Sequence, residues 1–231
     1  MHFLLLGATG RTGRHVVSQL LAQGHTAVAL VRVSGSLAPR SGLTVVTGSP
    51  LSKTDIQSAL SAAPSLTPFA AIITLNTVRK SDSPFAPQVS APRFLADSCA
   101  NVCEVLEDAG VLRIVVMSTA GAGDSWPNLP WLSRVFMGST NIKYALEDHN
   151  IVDSEIRKTK MDWTLVRASR LRFEEQDETS MTMKTTDIKI LDSVGFGMRI
   201  SDSIHIGQVA GFLIKVAIEG LYIKRAIVIK N

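Results

Sequence analysis

Cysteine is nearly absent from this chain of 231 residues, which holds only Cys99 and Cys103. The two stand four apart in a helical pattern with Val102, Val105 and Leu106, so they read as small core residues. No disulfide framework follows, and a reducing compartment, the cytoplasm, is the expectation. No run of about 18 apolar residues occurs, which excludes a spanning helix and gives no membrane partner. The apolar start, Met1 to Leu6, is too short for a secretory signal and meets a glycine turn at once, so it reads as a buried strand. Basic residues are scattered and the net charge is only +4, so no nucleic-acid partner is expected. No metal-ligand spacing stands out among the five histidines, and no metal is expected. Tyrosine is also scarce: Tyr144 and Tyr222 are the two.

What is present is alternation. Apolar runs at residues 2–6, 26–31, 43–46, 70–74, 113–117, 163–166 and 226–229 read as strands. Helical patterns lie between them. The first carries Val16, Val17, Leu20 and Leu21 on one face and ends at Gly24; others cover about 55–60, 90–109, 142–159 and 205–219. Residues 34–42 and 79–88 read as loops, and 119–141 as an irregular, Gly- and Pro-containing pocket wall. Strands alternating with crossover helices imply an α/β fold with a doubly wound, mostly parallel sheet. No linker divides the chain, so residues 1–231 read as a single domain. Residues 171–200 form a small substrate-side excursion toward its C-terminal end.

The strongest local signal is Gly7-Ala8-Thr9-Gly10-Arg11-Thr12-Gly13, which directly follows a strand and opens a helix. In that context the spacing is a dinucleotide-binding fingerprint. Gly7 permits the tight turn, Gly10 lets the backbone approach a pyrophosphate, and Gly13 lets the helix pack close to the sheet. The helix N-terminus then offers free N–H groups to the anion. The end of the second strand selects the dinucleotide. An acidic residue there would hold the ribose hydroxyls of NAD, but this chain has Arg32, and no Asp or Glu between residues 26 and 54. Arg32, with Arg11 from the glycine loop, suits a 2′-phosphate through charge-assisted hydrogen bonds, so the expected cofactor is NADP(H).

On these residues the chain resembles the atypical short-chain dehydrogenase/reductase group with an NmrA-like Rossmann fold, of the biliverdin reductase B (flavin reductase) type. Further markers are Leu30-Val31-Arg32, Gly48, Val115-Val116-Met117-Ser118-Thr119 and Asp162-Trp163-Thr164-Leu165-Val166-Arg167. The resemblance implies that the cofactor is touched by the glycine loop (Thr9 and Thr12 included), by Gly48, Ser49 and Leu51, and by Leu75, Asn76 and Thr77. It implies that Ser118, Thr119 and Ala120 line the nicotinamide pocket. Two departures stand out. Ser49, followed by Pro50, replaces the acidic residue often found after the glycine of the third strand. The Tyr-x-x-x-Lys pair of many short-chain dehydrogenases is missing, because Tyr144 is followed four residues on by Asp148.

The catalytic candidates are therefore His149, Ser118 and Thr119. Asp148-His149 is read as opening the helix before the sixth strand, near the cofactor, as a similar pair does in the resembled type. An ordinary histidine pKa would suit proton transfer at neutral pH; a surface histidine is the plainer alternative. Ser118 and Thr119 can hydrogen-bond a substrate oxygen or merely satisfy local backbone. Trp126, Trp131 and Phe136 can wall a flat substrate or pack a loop, and His205 reads as structural. Together these features point to an NADP(H)-dependent reductase of a small apolar or aromatic molecule, acting as a monomer or homodimer. Two alternatives stay open: a non-redox isomerase or cyclase on the same fold, and an NmrA-like regulator that senses the dinucleotide.

Overall fold

The computed structural model describes residues 1–63, 66–173 and 187–231. Its eight-stranded sheet has the order β3-β2-β1-β4-β5-β6-β10-β8. The strands are β1 (His2–Leu6), β2 (Thr26–Val31), β3 (Leu43–Thr47), β4 (Ala70–Ile73), β5 (Arg113–Thr119), β6 (Asp162–Ala168), β8 (Lys189–Leu191) and β10 (Arg225–Lys230). All pairs are parallel except β10 with β8. Short β7 (Arg170–Arg172) pairs separately with β9 (Ser203–His205).

The central strands β1 and β4 are apolar and buried along their whole length because both sheet faces are covered there. In β1, Phe3 and Leu5 pack with Val16, Val17 and Leu20 of α1 (Arg11–Ala22) and with Val209, Phe212 and Leu213 of α6 (Ile206–Ile218). Leu4 and Leu6 point the other way. They pack with Ile56 of α2 (Lys53–Ser61), Val102 and Leu106 of α3 (Phe94–Asp108), and Val152 and Ile156 of α5 (Ile142–Ile156). The chain runs outward from β1 to β3, then crosses back to β4 on β1's other side. At that switch in strand order the connecting loops part, and a crevice opens beyond the C-terminal strand ends. The doubly wound α/β architecture read from the sequence is thus the one observed.

Two stretches differ from expectation. Residues 119–141 contain a 3-10 turn, Gly123–Asn128, and α4 (Trp131–Ser139). Gly121, Gly123, Pro127 and Pro130 mask that helix in the sequence, yet Pro130 merely precedes its first turn. Of the excursion expected over residues 171–200, residues 174–186 lie outside the described residues, whereas β8 joins the main sheet against β10. Among the described residues no helix is long and apolar enough to cross a membrane.

Candidate functional site

A cleft of about 1010 Å³ lies at the C-terminal strand ends. It runs from Gly7, Thr9, Gly10, Arg11 and Thr12, past Arg32, to Leu75, Asn76 and Thr77 after β4. It continues over Ser118, Thr119 and His149 to Phe136 and Met137 of α4 and to Lys230 at the end of β10.

The glycine loop is shaped by its neighbours. Gly7 has φ +84°, and a Cβ there would lie 2.6 Å from the Thr74 backbone. A Cβ on Gly13 would sit 2.0 Å from the Gly7 carbonyl oxygen. At Gly10 only that oxygen, at 3.2 Å, lies within reach of an added Cβ. Gly7 and Gly13 therefore hold turn, helix and sheet together, while a Cβ on Gly10 would meet one tight contact, the Gly7 carbonyl oxygen. Gly10 precedes α1, which has no side-chain cap and no acidic residue in its first turn. Its N-terminal N–H groups and dipole are left for an anion. Such a loop fits a pyrophosphate. Gly13 is not on the cleft wall: it serves through helix packing.

Of the loop after β3, Pro50 lines the cleft, and Gly48, Ser49 and Leu51 do not. The cause is Asp55 in the first turn of α2. Its carboxylate accepts the Ser49 N–H at 2.7 Å, and its side chain packs against Gly48. Leu51 N–H in turn donates to Ser49 Oγ at 3.2 Å. The backbone N–H groups of Ser49 and Leu51 are thus both taken up within the turn.

Arg32 is exposed at the end of β2, its guanidinium 5.7 Å from the centre of the Phe94 ring. Arg11 is engaged differently from expectation. It pairs with Asp82 at 3.2 Å and stacks over Phe173 at 4.1 Å, and all three residues line the cleft. Arg14, unremarked in the sequence, donates to the carbonyls of Thr9 (3.1 Å) and Ser36 (3.5 Å), tying the glycine loop to the turn after β2. Asn76 accepts the Thr77 N–H at 2.8 Å and so turns the chain at the end of β4.

Ser118 and His149 are both buried, with Oγ and Nδ1 3.5 Å apart. His149 sits in the middle of α5, not at its start and not on the surface. Burial pushes its pKa down to about 4, so it is neutral at pH 7. This replaces the expected proton donor with an ordinary pKa. Its neighbour Asp148 points elsewhere: it accepts the N–H groups of Leu95 (2.8 Å) and Ala96 (3.0 Å) and caps α3 from outside. Arg93, which precedes that helix, supplies no side-chain cap. Thr119 Oγ1 donates to the adjacent Ala120 carbonyl at 3.3 Å. Tyr144 is exposed on α5 and absent from the cleft lining. Phe136 lines the cleft and Trp131 does not, while Trp126 packs beneath it on Ala120, Leu129 and Val228.

Two buried polar groups hold this scaffold. Arg167, wholly buried, pairs with Asp153 of α5 and Asp124 of the 3-10 turn and donates to the Ser193 carbonyl, fixing the wall after β5. His205 caps α6, accepting the Gly207 N–H at 3.2 Å, as its structural reading anticipated. Among the described residues no cluster of three or more His, Cys, Asp or Glu is placed to hold a metal ion.

Residues 7–217 match the NAD(P)H-binding family. One curated relative is the Photosystem II assembly factor Ycf39 of Synechocystis, 29% identical over 153 residues. The match covers 63% of this chain and 43% of that protein, so the chain spans less than half of the relative's length. Among solved structures, ChuY, an anaerobillin reductase from Escherichia coli O157:H7, superposes with a TM-score of 0.73 at 19% identity, covering 99% of this chain and 96% of that one. A short-chain dehydrogenase/reductase from Veillonella parvula in complex with NADP gives a TM-score of 0.74 at 13% identity, covering 100% and 94%. At these identities the two structures share the fold.

Proposed function

The chain belongs to the NAD(P)H-binding family, and from that premise we propose that it is an NADP(H)-dependent reductase of a small apolar or aromatic molecule. The observation that carries this reading is the continuity of one cleft. It joins an uncapped α1 N-terminus and Arg32 at one end to the Ser118–His149 pair and the apolar side chains of α4 at the other. The Veillonella neighbour, in complex with NADP, and the reductase ChuY share this fold and support the reading.

In this assignment the α1 N–H groups and Gly10 receive the pyrophosphate, and Arg32 receives the 2′-phosphate. NADP(H), when bound, supplies the hydride. Ser118 holds a substrate oxygen by its hydroxyl, and neutral His149 orients that hydroxyl through Nδ1. Leu132 and Phe136 of α4 exclude water above the site. With Tyr144 outside the cleft lining, the proton that completes the reduction comes from solvent.

The test is NADPH consumption, followed by its absorbance, during turnover of a panel of quinones, flavins and polyketide-like aromatics. Stoichiometric oxidation of NADPH with product formation is the expected result. Conversion without NADPH loss would identify a non-redox isomerase or cyclase. Tight dinucleotide binding without any conversion would favour a sensing regulator.

A further inference from the structure

The side of the cleft formed by the end of β10 and the segments around β7 and β9 carries basic residues. Lys230 closes β10 with a side chain only 11% exposed. Its ammonium donates to Asp202 Oδ2 at 2.8 Å and to the Gly197 carbonyl at 3.2 Å. An ammonium has three N–H donors, so one is uncommitted among the described residues. Asp202 is itself shared, since the same Oδ2 accepts the Arg199 N–H at 2.7 Å. Arg170 and Arg199, both exposed, line the same cleft, and no ion pair among the described residues includes either. Lys230 and the backbone N–H of Arg199 thus share the Asp202 carboxylate, the pairing of Arg170 with Ser203 brings Arg170 to the residue beside Asp202, and Phe136 and Met198 line the same cleft. A pair that merely pinned the turn before β9 to β10 would need Lys230 and Asp202 alone. Two further arginines on one concave, partly apolar wall focus positive potential into the space between them.

We propose that this side of the cleft binds the oxyanion of an otherwise apolar, aromatic substrate. Lys230 lies at its floor, and Arg170 and Arg199 on its wall. The inference rests on the reading that the glycine-loop end takes the dinucleotide, which leaves this side for substrate. Planar guanidinium groups match a delocalised oxyanion, and the apolar side chains cover the aromatic body. Substrate specificity then depends on a charge as well as on shape.

The test is fluorescence titration of the protein with anilinonaphthalene sulfonate and with phenylnaphthylamine, the same frame without its sulfonate, with and without saturating NADP⁺. The sulfonate should bind about tenfold or more tightly than the neutral probe. Arg170→Gln, Arg199→Gln and Lys230→Met should each erode that preference while the neutral probe's affinity holds. Arg170 and Arg199 are exposed, so their variants keep the test valid if Lys230→Met fails to fold. Equal affinity of the two probes, a preference that survives in the folded variants, or displacement of the sulfonate by NADP⁺ would overturn the proposal. If NADP⁺ does not bind but the charge preference and its dependence on these residues persist, the dinucleotide reading fails and the oxyanion site stands.

Discussion

Ser118 at the end of β5 and His149 in the middle of α5 face each other, Oγ to Nδ1, at 3.5 Å in a buried corner of the cleft. That is the outer limit of a hydrogen bond, and such bonds tighten in the substrate complex. His149, with its pKa lowered to about 4 by burial, positions Ser118 and does not titrate near neutrality. Ser118→Ala should lower kcat about a hundredfold, the typical effect of removing one preorganised donor. Wild-type kcat should show no inflection near pH 6.5, and Tyr144→Phe should leave it within about twofold, since Tyr144 is outside the cleft lining. An inflection near 6.5 that disappears in His149→Asn would contradict the assignment.

The same burial makes stability depend on pH. The folded-state pKa of His149 is below the ordinary histidine value of 6.5, so the unfolded chain takes up the proton first. The full contribution is present above about pH 6.5 and is lost as pH falls toward about 4, up to roughly 3 kcal/mol. Urea unfolding at about pH 7 and about pH 4.5 should show a smaller acid-induced loss in His149→Asn than in the wild type. Equal losses would mean that His149 is hydrated or protonated in the folded protein.

Asp148 should matter for stability, not chemistry. Asp148→Ala leaves the N–H groups of Leu95 and Ala96 without their acceptor at the start of α3, costing about 1–3 kcal/mol. Asp148→Asn keeps one acceptor oxygen and should cost less. Denaturation midpoints of both variants check this, and a marked fall in kcat at full stability would place Asp148 in the reaction.

Arg32 is expected to set the cofactor choice. NADP(H) should bind the wild type more tightly than NAD(H), and Arg32→Ala should lose about 1.5–3 kcal/mol for NADP(H) with NAD(H) little changed. Calorimetric titration of both dinucleotides gives the comparison. Equal affinities in the wild type would remove the 2′-phosphate contact from the account.

The three loop glycines should separate into two behaviours. Gly10→Val should abolish dinucleotide binding while the circular dichroism stays native, because Gly10 lines the cleft and its Cβ would meet only one neighbour, the Gly7 carbonyl oxygen at 3.2 Å. Gly7→Ala and Gly13→Ala should instead lower the melting temperature, because their added methyls meet backbone at 2.6 and 2.0 Å. A Gly10→Val protein that binds dinucleotide normally would show that the loop does not hold the phosphates.

Local pattern was enough for the parts of this protein whose physics is local. A both-sided apolar strand, a glycine turn and a helix start occupy adjacent residues, so β1, the Gly7–Gly13 loop and α1 were legible in order, as was Arg32 at a strand end. Where boundaries shifted, flanking chemistry was responsible. The expected helix over 90–109 is observed as Phe94–Asp108, its start set by Asp148 more than fifty residues away. α4 was hidden by the glycines and prolines that precede it, and it has no fully buried residue to impose a helical apolar stripe.

The sequence by itself determined the fold class and the phosphate-facing loop, because hydrophobic periodicity and glycine conformational freedom act over a few residues. Only the tertiary structure decided which side chains meet. It turned Asp148 to cap α3 and left His149 neutral beside Ser118; it drew Ser49 onto Asp55 and Arg11 onto Asp82. It also brought Arg170, the turn from Arg199 to Asp202, and Lys230 from separate parts of the chain to one cleft. Desolvation and charge pairing depend on distances across the fold, and residues adjacent in sequence, such as Asp148 and His149, can face entirely different surroundings.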